Sequence, residues 1–145
     1  MKKLVVAQCG GRKIWKDDAS IRLIKAKDAY TSTYFKKQRA YAERFGDSWV
    51  ILSAKYGFLD PEDKIEDYNV TFKKKSTQPI STDKLAEQVK RKKLGSFDEI
   101  VVLGGKEYLD STIQAFAGTG VKISAPFKGL SIGKRMSAIN EIMGR

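Results

Sequence analysis

The chain has 145 residues and a formal net charge of +11, from 28 lysines and arginines against 17 aspartates and glutamates. It contains one cysteine and no histidine, which excludes an intrachain disulfide, a Ser-His-Asp triad and a histidine-ligated metal site within this chain. The length predicts one domain, residues 1–145, and the charge favours polyanionic partners, with a solvated lysine-rich surface as the alternative. No apolar run approaches a membrane span, so we expect no membrane partner and a cytoplasmic location.

The first predicted strand, residues 4–9, is apolar and ends at a Gly-Gly pair that begins with Gly10. Glycines at a strand end let a ligand approach the backbone, and the adjacent Arg12 and Lys13 suit a phosphate or carboxylate. We therefore expect Cys9, Gly10, Arg12 and Lys13 to contact a ligand. The alternative is an ordinary turn, with Cys9 as a small buried residue.

An aromatic helix follows a mixed segment in which we expect a loop and a short helix. One helical stripe is formed by residues at i, i+4, i+7, i+8 and i+11, which are Tyr34, Gln38, Tyr41, Ala42 and Phe45. Ser32 or Thr33 is the predicted N-cap and Gly46 the predicted stop. Because these aromatics share one stripe, core packing is a better explanation for them than base stacking.

The central stretch is a short apolar run, residues 49–52, that opens into Ser53-Ala54-Lys55-Tyr56-Gly57. A run of this kind predicts a strand buried on both faces. Ligands of open α/β sheets bind outside the carboxyl ends of the strands, so this exit is expected to contribute to a site. The alternative is a plain turn in which Gly57 supplies a positive φ and Lys55 is solvated.

An acidic loop follows this exit and reaches Asp67-Tyr68. Carboxylates in a basic chain suggest a general base or a hydroxyl-binding group, with Asp67 and Glu66 as the candidates. Four or more carboxylates in one loop cannot all be functional, so most are expected to be surface residues.

A later strand, residues 100–103, repeats the pattern of the first, because it is apolar and ends in Gly104-Gly105 and a lysine. If the strands are parallel, both glycine turns lie at one edge of the sheet. The helix that follows, from about Glu107, is predicted to place Leu109, Ile113 and Phe116 inward.

The last elements are a strand over residues 121–124 and a helix preceded by Ser131. Backbone N–H groups at the helix start, with Lys134 and Arg135 beside them, predict an anion site, and a capped helix with a basic flank is equally consistent. Four strands with helices between them predict an α/β fold: a three-layer α/β/α arrangement with a mainly parallel sheet of about four strands.

Several motifs together resemble a known group of proteins. They are Cys9-Gly10-Gly11-Arg12-Lys13, Tyr30-Thr31-Ser32 with Phe35, Leu52-Ser53-Ala54-Lys55-Tyr56-Gly57-Phe58-Leu59 with Asp67-Tyr68, and Gly129-Leu130-Ser131-Ile132-Gly133-Lys134-Arg135-Met136. They resemble a family of small uncharacterised domains, related more distantly to the peroxide-stress protein YaaA and to the glycosylase-like domain of archaeosine synthase. The resemblance implies an α/β/α domain associated with nucleic acid, nucleotides or modified bases. It supplies no reaction, and the histidine of uracil-DNA glycosylases is absent here.

Two main hypotheses follow. The first is a nucleic-acid or nucleotide-binding domain, with a role in base modification or stress response, whose pocket combines both glycine turns with the central exit. Its expected ligand-binding residues are Cys9, Gly10, Arg12, Lys13, Tyr30, Thr31, Tyr56, Gly57, Tyr68, Gly104, Gly105, Lys134 and Arg135.

The second hypothesis is an enzyme that cleaves or exchanges an N-glycosidic bond. Asp67 or Glu66 would be its acid, base or nucleophile, with Lys55 and Ser53 as further catalytic candidates. A basic protein-interaction module is a third possibility, and no cofactor is expected under any of the three.

Overall fold

A mainly parallel sheet forms the centre of the computed structural model, which describes residues 1–145. In chain order the strands are β1 (Lys3–Gln8), β2 (Ile24–Lys25), β3 (Ser48–Ser53), β4 (Gly57–Leu59), β5 (Lys64–Ile65), β6 (Glu99–Val102) and β7 (Lys122–Ser124). Five of them form the central sheet, in the order β4-β3-β1-β6-β7. Only β4 is antiparallel to its neighbour, and β2 pairs with β5 outside this sheet.

Helices cover both faces of the sheet, which confirms the predicted three-layer α/β/α fold. They are α1 (Ala26–Ala29), α2 (Thr33–Phe45), α3 (Thr82–Arg91), α4 (Lys106–Ala115) and α5 (Ile132–Met143). On one face α2 packs against α5, and on the other α3 packs against α4. No helix is both long enough and apolar enough to cross a lipid bilayer.

The central strand β1 is buried on both faces, as its continuous apolar sequence predicts. Leu4 and Val6 belong to the core under α3 and α4, whereas Val5 belongs to the core under α2 and α5. Successive side chains of a strand point to opposite faces, so a strand covered on both sides needs apolar residues at every position. The core therefore consists of two layers with β1 between them.

Local capping explains why α2 begins and ends where predicted. The Ser32 hydroxyl accepts the Phe35 N–H at 3.1 Å, and the Gly46 N–H donates to the Ala42 carbonyl at 3.0 Å. Such bonds satisfy backbone groups that a helix terminus leaves unpaired.

The edge strand β4 was missed by the sequence prediction, which treated Gly57 as part of a loop. Gly57 has φ +76°, and this turn reverses the chain so that Phe58 pairs with Leu52. The Gln88 side chain of α3 stabilises the reversal, because it accepts the Phe58 N–H at 2.8 Å and donates to the Tyr56 carbonyl at 2.9 Å. A contact from a residue so distant in sequence leaves no local signal.

One core prediction was wrong. Ile113 is 48% exposed on α4, whereas Leu109 and Phe116 are buried as expected. The side chain borders a cavity that is described below.

Candidate functional site

The carboxyl ends of β1 and β6 form a topological switch point. These strands are neighbours, yet β1 leads into α2 on one face of the sheet and β6 leads into α4 on the other. After these two adjacent strands the chain turns toward opposite faces of the sheet, which opens a crevice between the strand ends. Ligands of open α/β sheets bind in crevices of this kind.

A pocket of about 230 Å³ occupies this crevice, and we call it the switch-point pocket. Its lining comes from the end of β1 and the turn after it, from the segment after β5 and from one residue of α4: Gln8, Cys9, Gly10, Gly11, Lys13, Tyr68, Asn69, Val70, Thr71, Phe72, Lys73 and Tyr108. Pockets for drug-sized ligands have volumes of about 300–1,000 Å³. The volume here fits a ligand smaller than these.

Glutamine side chains hold the floor of this pocket. The Gln8 Oε1 atom accepts the Gly105 N–H at 2.9 Å and so ties the end of β1 to the turn after β6. The fully buried Gln38 of α2 binds the Gln8 backbone twice, accepting its N–H at 2.8 Å and donating to its carbonyl at 3.2 Å. At Gly104 a Cβ atom would lie 2.9 Å from the Cβ atoms of Gln8 and Tyr108, so only glycine fits.

A cluster of buried hydroxyls lies behind the pocket wall. The hydroxyls of Tyr30 and Tyr68 are hydrogen-bonded at 2.6 Å, and the Ser53 hydroxyl donates to that of Tyr68 at 3.0 Å. The Ser53 oxygen also accepts the backbone N–H groups of Lys55 and Tyr56, each at 3.2 Å. Because Ser53 is fully buried and bonded in this way, its hydroxyl fixes the strand exit and the position of Tyr68.

Burial raises the pKa of the hydroxyls of Tyr30, Tyr68 and Tyr108, and the nearby Cys9 thiol adds to this effect in each case. The Cys9 Sγ atom lies 3.3 Å from the Tyr108 hydroxyl oxygen. A raised pKa keeps a phenol neutral at physiological pH. Tyr68 and Tyr108 therefore line this pocket as neutral aromatic groups.

Two cations of the pocket have no carboxylate partner. The Lys13 ammonium lies 4.5 Å from the centroid of the Tyr68 ring, and Lys73 is exposed at the rim. Neither takes part in any ion pair of the chain. Arg12, by contrast, is paired with Asp17 at 2.8 Å. Lys13 and Lys73 are thus the groups available to an anionic ligand.

A second pocket, of about 420 Å³, lies beyond the turn after β6, and we call it the Arg135 pocket. It is bounded by the start of α4 and by the segment that precedes α5. The lining includes Gly104 and Gly105, which the sequence predicted to share a pocket with Cys9, and Arg135, which it predicted to belong to an anion site at the start of the last helix. The structure therefore separates one predicted site into two cavities.

The predicted ligand-binding residues fall into distinct groups. Those that line the switch-point pocket are Cys9, Gly10, Lys13 and Tyr68. Those that line the Arg135 pocket are Gly104, Gly105 and Arg135. Those that line neither pocket are Arg12, Tyr30, Thr31, Tyr56, Gly57 and Lys134.

Within the last group, Tyr56 packs against the pocket-lining Tyr68. The Tyr56 hydroxyl donates to the Glu66 carbonyl at 3.3 Å, and the Tyr56 ring meets the Tyr68 ring edge-on at 5.4 Å between centroids. Thr31 has a buried Oγ1 atom without a hydrogen-bond partner, and its N–H donates to the Arg12 carbonyl. Lys134 is exposed in the first turn of α5.

The three predicted catalytic residues also lie outside both pockets. Asp67 is exposed, and its carboxylate accepts the N–H of Tyr68 at 2.8 Å. Lys55 is exposed, with its ammonium 5.2 Å from the Tyr56 ring centroid. Ser53 belongs to the buried hydroxyl cluster.

Sequence reasoning missed Tyr108 and Phe72, whose rings meet edge-on at 5.3 Å between centroids. A usable signal existed for Tyr108, which follows the second glycine turn by three residues and so lies in the first turn of α4. Phe72 had no such signal, because its segment contains only short regular structure.

Comparisons with known proteins give two matches. The sequence profile of DUF6884, a family of unknown function, matches residues 16–141. An uncharacterized protein of Bacillus subtilis (strain 168), YfjM, is 39% identical over 144 residues, which cover 97% of this chain and 94% of that protein. No solved structure gives a significant match. The expected likeness to a small uncharacterised family is confirmed, whereas neither match links the chain to YaaA or to archaeosine synthase.

Proposed function

We propose a function from the pocket itself, because this chain belongs to DUF6884, a family of unknown function. The proposal is that the chain binds a nucleotide, either free or as one unit of a nucleic acid, in the switch-point pocket. The observation that carries it is the combination of two unpaired lysines with aromatic rings at the switch point of the sheet.

The phosphate would bind at Lys13 and Lys73. Both are cations without a carboxylate partner, and ionic hydrogen bonds to phosphate are stronger than those between neutral groups. Gly10 and Gly11 in the turn after β1 allow the phosphate to approach the backbone, since the space around a Cβ of Gly11 is open.

The base would stack against the aromatic side of the pocket. Phe72 and Tyr108 present rings there, and Asn69 supplies an amide that can bind the edge of a base. Stacking of a base on an aromatic side chain is worth about 1–3 kcal/mol. The pocket volume of about 230 Å³ leaves room for no more than one nucleotide unit at this position.

Cleavage of an N-glycosidic bond has weaker support as a function, because neither Asp67 nor Glu66 lines either pocket. A catalytic carboxylate must lie within hydrogen-bonding reach of the reacting atoms. Release of free base from any member of a panel of nucleosides and oligonucleotides, followed by chromatography, would support cleavage of an N-glycosidic bond. A role in base modification or stress response rests on the resemblance to YaaA and archaeosine synthase alone.

The test is fluorescence anisotropy with labelled mononucleotides and with single- and double-stranded oligonucleotides at low salt. We expect Lys13→Gln to weaken binding about tenfold, because a hydrogen bond to a charged group contributes about 1.5–3 kcal/mol. Lys90→Gln is the matched control, since this exposed lysine of α3 lies outside both pockets. Equal losses in both variants would show that net charge alone drives binding, and no binding to any probe would refute the proposal.

A further inference from the structure

The Arg135 pocket has two chemically different sides, and neither is used by the proposed nucleotide site. Its apolar side is formed by Leu109, Ile113, Phe127 and Leu130. Its charged side carries three cations and one carboxylate, which are Lys106, Lys128, Arg135 and Asp110. A cavity with this division fits a ligand that has an anionic group and an apolar body.

The Arg135 guanidinium is held in place but not neutralised. Its Nη1 atom donates to the Tyr34 hydroxyl at 3.3 Å, and that hydroxyl donates to the Leu103 carbonyl at 2.9 Å. A Cβ atom at Gly105 would lie 3.2 Å from Nη2, so the guanidinium packs closely on the glycine backbone. Its Nε atom is buried without a hydrogen-bond partner, and no carboxylate forms an ion pair with it.

An arginine does not lose its proton in a protein, so a partly buried guanidinium without a counterion favours an anion beside it. Lys106 and Lys128 are exposed on the same cavity and also have no ion-pair partner. Three cations against Asp110 leave a formal excess of two positive charges in the lining. A phosphate monoester carries a charge of about −1.5 to −2 at neutral pH, which matches this excess better than a carboxylate does.

The apolar side explains the exposure of Ile113, which the sequence predicted to be buried. The side chain is 48% exposed and borders the cavity together with Leu130. An apolar group that covered both would remove this surface from water, which is favourable in proportion to the area buried. We infer that the Arg135 pocket binds an organic phosphate monoester with an apolar or aromatic body, with its phosphate at Arg135, Lys106 and Lys128.

Phenyl phosphate is the probe, with inorganic phosphate and phenol as its two halves. Calorimetry should give tighter binding for phenyl phosphate than for either half, and NMR should show shifts at the amides of Gly105 and Gly129. Arg135→Gln should weaken binding at least about tenfold. Lys134→Gln, which removes an adjacent positive charge on the same helix, should leave the affinity unchanged, because Lys134 lies outside the pocket.

Two further variants separate the parts of the inference. Ile113→Ser should weaken phenyl phosphate severalfold and leave inorganic phosphate unchanged, because only the ring contacts the apolar side. Lys128→Gln tests the phosphate position without disturbing the contact between Arg135 and Tyr34, and it decides the outcome if Arg135→Gln unfolds in a thermal melt.

Three results would overturn the inference. One is phenyl phosphate binding no tighter than inorganic phosphate, or not at all. Another is unchanged affinity in a folded Arg135→Gln and in Lys128→Gln. The third is loss of phenyl phosphate binding in Lys13→Gln but not in Arg135→Gln, which would place the probe in the switch-point pocket. Since the two pockets have separate variants, failure here leaves the nucleotide proposal to its own test.

Discussion

The two ends of the parallel sheet differ in how their charges are neutralised. At the amino end, Lys92 lies 3.5 Å from Asp60 and 3.6 Å from Asp63, and Lys3 lies 3.9 Å from Glu99. A groove of about 400 Å³ at this end contains the Lys92–Asp60 pair. The charged side chains at the amino end therefore neutralise one another.

At the carboxyl end, by contrast, the pocket cations have no carboxylate within 4.0 Å. They are Lys13, Lys73, Lys106, Lys128 and Arg135. Cavity size does not separate the two ends, since the amino-end groove is nearly as large as the Arg135 pocket. The comparison teaches that unpaired charge, rather than volume, distinguishes the carboxyl-end pockets from the amino-end groove.

Replacing a glycine by alanine should destabilise the chain after the carboxyl end of β6 but not before its amino end. In Gly104→Ala the new Cβ would meet the Cβ atoms of Gln8 and Tyr108 at 2.9 Å, and neither can rotate away. Overpacking of this kind costs about 1–3 kcal/mol, which urea unfolding would measure. Gly95→Ala, at the amino end, meets only Thr119 at an ordinary 3.4 Å and should be neutral. Equal stability of the two variants would show that the wall between the pockets is not tightly packed.

The hydroxyl cluster at the carboxyl end should contribute measurably to stability. Tyr68→Phe removes the partner of the Tyr30 and Ser53 hydroxyls, and leaving buried polar groups unsatisfied costs about 1–3 kcal/mol. Tyr41→Phe is the matched control, because that partly buried hydroxyl makes no hydrogen bond to the protein. Urea unfolding that gave the same midpoint for both variants would contradict a structural role for the cluster.

The same tyrosine predicts how stability changes in alkali. Burial raises the pKa of Tyr68 above its usual value of 10.0. The phenol of Tyr68 loses its proton more readily in the unfolded chain than in the folded one. Its contribution to the free energy of unfolding is therefore complete below about pH 10 and is lost as the pH rises beyond that value. Unfolding free energies measured on either side of about pH 10 should fall less steeply in Tyr68→Phe than in the parent chain. Parallel curves would show that this phenol ionises equally in both states.

If the carboxyl end binds nucleic acid, Lys73 should contribute to the salt dependence of binding and Lys90 should not. Each phosphate contact adds about 0.9 to the slope of log affinity against log salt for duplex DNA. Lys73→Gln should reduce the slope by about that amount, whereas Lys90→Gln, on an exposed face of α3, should leave it unchanged. A reduction of equal size in both variants would mean that binding is not localised at the carboxyl end.

The smallest effect concerns the paired charges of Glu62. The Lys25 and Lys27 ammonium groups lie 2.8 and 2.7 Å from the Glu62 carboxylate oxygens. Their hydrogen bonds, the one from Lys25 having the larger effect, lower the pKa of Glu62 from 4.5 to about 2. Its stabilisation is present above pH 4.5 and is lost as pH falls toward 2. Because the group is exposed, Glu62→Gln should lower the melting temperature by at most about one degree at neutral pH. A difference that persisted at about pH 2 would assign the effect to something other than charge.

Several elements of the fold were predictable because their signals are local. The apolar runs of β1, β3 and β6 and the stripe of α2 come from neighbouring residues, and Ser32 caps its helix within three residues. β4 was not predictable, because its reversal depends on Gln88, far along the chain. The exposure of Ile113 was likewise missed, since a helical stripe does not reveal whether anything covers it.

The candidate site was predictable in position but not in composition. Both glycine turns lie at the carboxyl edge, as the parallel strand pattern indicated. Their residues divide between two pockets because β1 and β6 lead to helices on opposite faces. The spacing of motifs along the chain does not predict which of the two pockets each residue will line.

The sequence alone thus determined the strands β1, β3, β6 and β7, the helices α2, α4 and α5, and their order, because hydrophobic period and capping depend on residues a few positions apart. Only the tertiary structure decided which cations are neutralised, which hydroxyls are buried and which glycines form a shared wall. Those properties depend on strand order and helix placement, which bring residues such as Gln8 and Gly105 together across most of the chain.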